Sequence, residues 1–212
     1  DPATRSKLMF IFTAILPRAS KRYQWSRQRP LNAQNQTYYI APVFFEWNVF
    51  DLFARKTSAV ISSDEMISNW GPLFARRPDA SYVIRSADRL EHLASESVDY
   101  VFTDPPFGSN IFYSDMSLFQ EAWLDETTNP AAEAVIATSK NNGASKLRYE
   151  QLLSDAVREC ARVLKPGGWF SMGFSNSRGE VWAMAQRALK RSGLELIHER
   201  LSSIDKGQRS VK

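Results

Sequence analysis

The stretch VDYVFTDPPFGSNIFYSD, from Val98 to Asp115, decides the fold. An apolar segment predicted to be a strand runs directly into an Asp-Pro-Pro-Phe motif at residues 104–107. Proline fixes φ and cannot donate to a strand ladder, so two consecutive prolines end the strand here. Strands alternating with helices from residue 81 onward predict an α/β protein with a mostly parallel sheet. In such sheets ligands bind at the carboxyl ends of strands, which is where this motif falls.

The motif combines three chemical groups. Asp104 provides a carboxylate acceptor, Pro105 and Pro106 stiffen the loop and present carbonyl oxygens with no N–H beside them, and Phe107 offers a flat apolar face. An exocyclic amino group has two hydrogens to donate, and the ring that carries it can stack on an aromatic side chain. The motif therefore indicates a site for an adenine or cytosine base. The alternative is a strand that only requires a sharp ending.

The rest of the chain predicts the elements around this strand. Upstream we expect a largely buried helix ending at Pro17, an extended segment from Thr37 to Pro42, and helices over residues 44–56 and 63–70. Downstream we expect strands at Tyr82–Arg85, Val98–Thr103, Trp169–Phe174 and Leu194–Arg200, the second of them buried on both faces. Between these strands we expect a helical turn at residues 87–93, a helix at 117–124 and a mobile loop at 125–146. A second helix at 149–164 then ends in the Lys-Pro-Gly-Gly turn at 165–168. A last helix covers residues 179–192.

Composition limits the class of protein. The chain has 212 residues, 43% of them hydrophobic and 24% charged, which suits one substantial core. Cys160 is the only cysteine, and His92 and His198 are the only histidines, so neither an intrachain disulfide nor a metal site is predicted. No apolar run approaches the roughly 20 residues that span a bilayer. We therefore expect a cytoplasmic protein with no membrane partner.

A basic segment with aromatic residues lies between residues 17 and 30. The net charge of the whole chain is +4, and this segment, PRASKRYQWSRQRP, concentrates positive side chains around Tyr23 and Trp25. Such a pattern is typical of a surface that binds phosphates and stacks on bases. The alternative is a solvated basic loop whose aromatic residues lie in the core. The candidate phosphate-binding residues are Arg18, Lys21, Arg22 and Arg27.

Several segments resemble one enzyme family. TDPPFG resembles the Asp-Pro-Pro-Tyr/Phe motif of S-adenosylmethionine-dependent amino-methyltransferases, which methylate adenine N6 or cytosine N4 in nucleic acid. SADRLEHLASESVDYVFTDPPFG resembles that family's strand, acidic turn and motif, and ECARVLKPGGWFSMGF resembles the helix, turn and strand of methyltransferase folds. GSNIFYSDMSLFQEAWL and ILPRASKRYQWSRQRP resemble a prokaryotic subgroup of predicted DNA adenine methylases. The resemblance implies a Rossmann-like class I methyltransferase fold with helices on both faces of the sheet.

The resemblance also implies roles for individual residues. Asp104 and the carbonyl of Pro105 would hold the target amino group, with Asp104 also next to the cofactor, and Phe107 would stack on the base. Asp88 would accept a hydrogen bond from the adenine of S-adenosylmethionine; the alternative is an N-cap for the following turn. Tyr113 would line the nucleic-acid pocket, or else cover the core as a loop aromatic.

The implied reaction is methyl transfer from S-adenosylmethionine to a base amino group in DNA, with adenine N6 favoured and the base flipped out of a duplex. Two alternatives stay open: an RNA adenine-N6 methyltransferase, and a non-catalytic nucleic-acid-binding module that keeps the fold. We expect a single catalytic domain over residues 1–212, helical over 1–80 with the basic segment, and sheet-forming over 81–212.

One element of the family is missing from the sequence. No Phe-x-Gly-x-Gly loop is present, and no acidic residue is a clear candidate for gripping the cofactor's ribose. In the subgroup these elements lie upstream of the segment that resembles residues 1–60. We therefore expect this chain to be a C-terminal portion of a larger enzyme, with the fold incomplete at the N-terminal side and weak cofactor binding by the portion alone.

Overall fold

A computed structural model describes residues 1–25, 40, 42–70, 80–109, 111–139 and 141–197. It divides into two compact units, one comprising residues 1–84 and 106–140, the other residues 85–105 and 141–212. The extended segment predicted from Thr37 to Pro42 lies outside the described residues, except for residues 40 and 42. The organisation as one catalytic domain stays a prediction.

The described residues of the first unit form three α-helices. They are α1 (Pro2–Ile15), α2 (Val49–Trp70) and α3 (Tyr113–Leu124). Asp1 caps α1 by accepting a hydrogen bond from the amide of Thr4 at 2.8 Å, with proline at the first helical position. The ring of Phe12 in α1 meets Trp123 in α3 edge to face, with centroids 4.9 Å apart.

Three expectations for this unit are wrong. Only Ile11 and Ile15 of α1 are buried, and Phe10 is exposed, so α1 is not a largely buried helix. The helix predicted from residue 44 begins instead at Val49, because residues 43–45 pair with residues 23–25. The amide of Trp25 donates to the carbonyl of Val43 at 3.0 Å, and the amide of Phe45 donates to the carbonyl of Tyr23 at 2.9 Å.

The two helices predicted over residues 44–56 and 63–70 form the single helix α2. Neither glycine nor proline lies between them to end the first one. The hydroxyls of Thr57 and Ser58 donate to carbonyls one turn earlier, those of Phe53 and Ala54, so their polar groups are satisfied within a continuous helix.

The second unit contains a small parallel sheet and two helices. Strand β1 (Val98–Thr103) pairs in parallel with β2 (Leu164–Met172), and the helices are α4 (Gly143–Val163) and α5 (Gly179–Arg191). A parallel pair requires a crossover connection, as the sequence predicts. The α/β class is therefore confirmed. The described part of the sheet has two strands, and a methyltransferase-like sheet belongs to the proposal below.

The Lys-Pro-Gly-Gly segment does not form the predicted turn between α4 and a strand. Strand β2 begins at Leu164, and the register passes from Val98 opposite Leu164 to Tyr100 opposite Trp169, so the extra residues form a bulge. Gly168 is required there, because a Cβ would lie 2.9 Å from the carbonyl oxygen of Asp99.

The core of the second unit lies between α4 and α5. The buried residues of both helices recur at helical spacing: Tyr149, Leu153, Val157, Cys160 and Val163 in α4, and Val181, Met184, Ala185 and Ala188 in α5. Burial also raises the pKa of the Cys160 thiol, with a smaller contribution from the charge of Glu159. This thiol therefore behaves as an inert core group.

Other strand predictions are wrong. Residues 82–85 and 194–197 form no strand, and Tyr82 and Ile84 are about nine-tenths exposed. The remainder of the last predicted strand lies outside the described residues. Strand β1 is not buried on both faces either, since Phe102 is 69% exposed. Strand β1 forms its ladder of hydrogen bonds with β2 along one edge, while one of its two faces stays open to solvent.

Two predicted helix starts also move. The helix expected at residues 117–124 begins earlier, at Tyr113, and the helix expected at residues 149–164 begins at Gly143. Residues 87–93 form hydrogen-bonded turns, and the loop after α3 contains a short 3₁₀ helix, Pro130–Ala132. Among the helices of the described residues, none is long and apolar enough to cross a membrane.

Candidate functional site

Asp104 lies at the carboxyl end of both parallel strands. Strand β1 ends at Thr103, whose carbonyl accepts a hydrogen bond of 2.9 Å from the amide of Gly173, the residue that follows β2. Asp104 is exposed, and within the described residues its carboxylate has no hydrogen-bond donor. Gly173 leaves space beside it, because a Cβ at that position would lie 3.3 Å from Oδ1 of Asp104. The structure thus presents a charged acceptor at the sheet edge where the sequence predicts a site.

The rest of the motif follows along the chain. The division between the two units falls between Pro105 and Pro106, and residues 105–107 are partly buried. Gly108, directly after Phe107, is buried with φ at +89°, a conformation that side chains disfavour. The backbone therefore requires glycine where the motif ends.

Asp88 lies in the turns that precede β1. One of its carboxylate oxygens, Oδ1, is buried and has no hydrogen-bond partner among the described residues. A buried acceptor without a donor costs free energy, so this oxygen favours a ligand that brings an N–H group. The alternative role as a helix N-cap is not realised, since residues 87–93 form turns and not a helix.

Helix α4 holds the segment that follows Asp88. The guanidinium of Arg162 donates to the carbonyl of Leu90 at 2.9 Å and to that of Leu93 at 3.1 Å. The carboxylate of Glu159 also holds this segment, by accepting a hydrogen bond of 3.0 Å from the amide of Leu90. The hydrogen bond from Arg162 and then the one from Leu90 lower the pKa of Glu159, which therefore stays charged. No sequence signal identifies Glu159 and Arg162, because the residues that they contact lie about 70 positions away along the chain.

The basic segment divides into buried and exposed residues. Arg22 is only 3% exposed: its guanidinium lies 5.2 Å from the ring centre of Phe119 and donates to the sulfur of Met116 at 3.1 Å. In this position it is not presented to a phosphate, so the prediction for Arg22 is corrected to a packing role against α3. Arg18 and Lys21 are exposed, and Arg27 lies outside the described residues.

The aromatic residues of this segment divide in the same way. Tyr23 is buried against Phe45 and Trp47, with centroid distances of 6.1 and 5.9 Å, as the core alternative expects. Trp25 is exposed, as base stacking requires. The segment therefore combines a structural part and a surface part.

Tyr113 is the first residue of α3 and is 44% exposed, and its role in a nucleic-acid pocket stays a prediction. A groove of about 480 Å³ in the same unit is lined by Asp1, by residues of α1 and by Phe53, and none of the predicted site residues that the structure describes lines it. The candidate site is therefore defined by its chemical groups and not by this groove.

Comparison of the sequence and structure with known proteins found no match to a protein-family model, a curated protein or a solved structure. Function must therefore be argued from the residues themselves. The structure adds three residues to the predicted site: Gly173, Glu159 and Arg162. Of these, Gly173 carries a signal in the sequence, since it follows a predicted strand whose end must meet the end of β1.

Proposed function

We propose that this chain is the catalytic part of an S-adenosylmethionine-dependent methyltransferase acting on an exocyclic amino group in DNA, most specifically adenine N6. The observation that carries the proposal is the exposed Asp104 carboxylate, free of donors within the described residues, beside Gly173 at the carboxyl ends of two parallel strands. Ligands bind at this end of parallel sheets.

Asp104 acts on the target nitrogen. The lone pair of an amino group on an aromatic ring is delocalised, which makes it a weak nucleophile. The carboxylate of Asp104 and the carbonyl of Pro105 each accept a hydrogen bond from one N–H of this amino group. These two hydrogen bonds favour a more tetrahedral nitrogen, whose lone pair points in one direction. The negative charge of Asp104 also stabilises the positive charge that develops on nitrogen as the new bond forms. Fixing the nitrogen in this orientation supplies a further part of the rate.

Phe107 is the candidate for stacking on the base, by its place in the motif. Stacking on an aromatic side chain contributes about 1–3 kcal/mol per base. That contribution would offset part of the cost of extruding the base from a duplex.

Asp88 is the candidate for holding the adenine end of S-adenosylmethionine. Its buried Oδ1 has no donor within the part of the chain that the structure describes, and the amino group of the cofactor's adenine would supply one. When bound, this cofactor would supply a methyl group from a sulfonium, with a neutral thioether as the leaving group, and the methylated nitrogen would release one N–H proton to water. The residues present fit the adenine end of the cofactor, whereas the sequence offers no glycine-rich loop for its methionine end.

The missing loop favours a second candidate, a nucleic-acid-binding module that keeps the fold without catalysis. The test is incubation of the protein with methyl-labelled S-adenosylmethionine and unmethylated duplex DNA or RNA. The modified nucleoside is then identified by mass spectrometry after digestion. We expect N6-methyladenine in DNA; transfer only to RNA would support the RNA enzyme, and binding without transfer would support the module.

Asp104 is tested in the same assay. Asp104→Asn keeps the size of the side chain and removes its charge, and should lower the transfer rate by at least about a hundredfold. Nucleic-acid affinity should stay within a few-fold, because Asp104 does not bind phosphate. Asp99→Asn is the matched control, since Asp99 is an exposed acid of β1 whose partner is the surface residue Lys165. Near-normal turnover by Asp104→Asn would refute the mechanism.

A further inference from the structure

We infer that Glu133 is a positioning residue for the chain that follows the Asp-Pro-Pro-Phe motif, an inference that rests on the proposed function. The Glu133 carboxylate accepts three hydrogen bonds at the start of α3. They come from the amide of Tyr113, from the amide of Ser114 at 3.1 Å, and from the hydroxyl of Ser114 at 2.7 Å. Glu133 lies 20 residues after Tyr113 in the sequence, so these bonds are tertiary contacts.

The start of α3 requires such an acceptor. The first amides of a helix have no partner within the helix, and its N-cap residue, Phe112, has no side-chain acceptor. A carboxylate is suited to this place because the helix dipole is positive there and a charged acceptor forms stronger hydrogen bonds. Glu133 therefore replaces the local cap that the sequence lacks.

A second contact from the same segment holds the chain nearer the motif. The amide of Ile136 donates to the carbonyl of Gly108 at 3.3 Å. Ile136 is 1% exposed, and Gly108 is also buried, so this contact is anchored in the packed interior of the unit. Residues 133–136 thus bind the chain at Gly108 and again at Tyr113 and Ser114.

These two contacts lie next to the residues proposed to meet the base. Phe107 directly precedes Gly108, and Tyr113 bears one of the amides that Glu133 accepts. The orientation of a stacking ring depends on its backbone, so releasing Glu133 should mainly affect how the nucleic acid is held. Asp88, the candidate for the cofactor's adenine, belongs to the other unit, so the affinity for S-adenosylmethionine should change little.

The test compares Glu133→Ala and Glu133→Gln with the control Glu126→Ala. Glu126 is an exposed acid of the same loop whose side chain takes no part in these hydrogen bonds. Backbone amide hydrogen exchange at Tyr113 and Ser114 should become at least about tenfold faster in Glu133→Ala, less so in Glu133→Gln, and be unchanged in the control. Steady-state methyl transfer should show a higher KM for nucleic acid and a lower kcat, with the Kd for S-adenosylmethionine within twofold.

The two measurements separate two kinds of failure. Unchanged amide exchange in Glu133→Ala would overturn the positioning role, and so would faster exchange with unchanged transfer kinetics. A wild-type protein that transfers no methyl group would instead refute the proposed function, and with it the role of Glu133 in the reaction, while the exchange data would still show whether Glu133 holds α3. If Glu133→Ala does not fold, Ser114→Ala removes one of the three hydrogen bonds and should shift exchange and KM in the same direction by less.

Discussion

Gly173 and Asp104 lie side by side where the two parallel strands end. The amide of Gly173 donates to the carbonyl of the residue before Asp104 at 2.9 Å, and a Cβ on Gly173 would lie 3.3 Å from Oδ1 of Asp104. Such a distance is shorter than most approaches of a real Cβ, so the carboxylate would have to move by a few tenths of an ångström. In the proposed mechanism the absence of a side chain at residue 173 sets the position of the catalytic acid.

We therefore expect Gly173→Ala to lower methyl transfer by about three- to tenfold, because small displacements of a catalytic group reduce the rate steeply. The thermal unfolding midpoint should change little, since only a flexible carboxylate is crowded. Gly179→Ala is the control, as nothing lies within 4 Å of a Cβ there. Equal activity of the two variants would show that the position of Asp104 is not critical.

A second prediction concerns Arg162, which donates to the carbonyls of Leu90 and Leu93. Arg162→Ala should release the segment after Asp88, weaken binding of S-adenosylmethionine and lower the unfolding midpoint. Arg162→Lys should restore little, because an ammonium group cannot reproduce the fork of the guanidinium. Calorimetric titration of each variant with S-adenosylmethionine measures the affinity.

The control for Arg162 is Arg158→Ala, one turn earlier on α4. Arg158 is exposed and forms an ion pair with Asp155 on the same helix. If both variants bind S-adenosylmethionine as tightly as the wild type, the segment held by Arg162 does not shape the cofactor site.

The helices of the second unit were predictable from the sequence, whereas the extent of the sheet was not. Apolar residues recur at helical spacing in α4 and α5, and the buried face follows that spacing from Tyr149 to Val163. A strand is different, because it depends on a partner that can lie far away in sequence. Tyr82 and Ile84 have strand propensity, yet they have no partner strand in the described residues and remain exposed.

The residues of the candidate site were also predictable only where the local sequence indicates their position. Asp104 could be placed because an apolar strand followed by two prolines marks its own end. Arg22 could not, since the sequence does not distinguish a guanidinium packed on Phe119 from one presented to solvent. Glu133 and Arg162 act on residues distant in sequence, so no local pattern indicates their role.

A third prediction is the pH dependence of the ion pair that joins α4 and α5. Arg187 donates to both carboxylate oxygens of Glu150, at 2.7 and 2.9 Å, and these hydrogen bonds lower the pKa of Glu150 below its usual value of 4.5. A carboxyl whose pKa is lower in the folded state stabilises the protein above its unfolded pKa, and this contribution disappears as the pH falls through the folded pKa.

Glu150→Gln should accordingly lower the unfolding midpoint at pH 7, and the difference from wild type should shrink as the pH falls below about 4.5. Thermal unfolding followed by circular dichroism across this range measures the effect. Glu195→Gln, at an exposed acid, should leave the midpoint unchanged at each pH. A difference between Glu150→Gln and wild type that stays constant down to low pH would mean that the charge of Glu150 does not stabilise the fold.

The last prediction concerns the exposed part of the basic segment. Arg18 and Lys21 are exposed, while Arg22 is buried beside Phe119, so only the first two are presented to a phosphate among the described candidates. On duplex DNA, the logarithm of the binding constant falls linearly with the logarithm of the salt concentration, and each phosphate that the protein neutralises adds about 0.9 to the magnitude of that slope. The double variant Arg18→Ala/Lys21→Ala should therefore bind DNA more weakly across all sequences, with a slope reduced by up to about 1.8. The control Arg5→Ala/Arg55→Ala removes the same charge from exposed positions of the same unit. An equal reduction of the slope in the control would indicate a diffuse effect of net charge, and an unchanged slope in the test variant would show that Arg18 and Lys21 do not touch the phosphates.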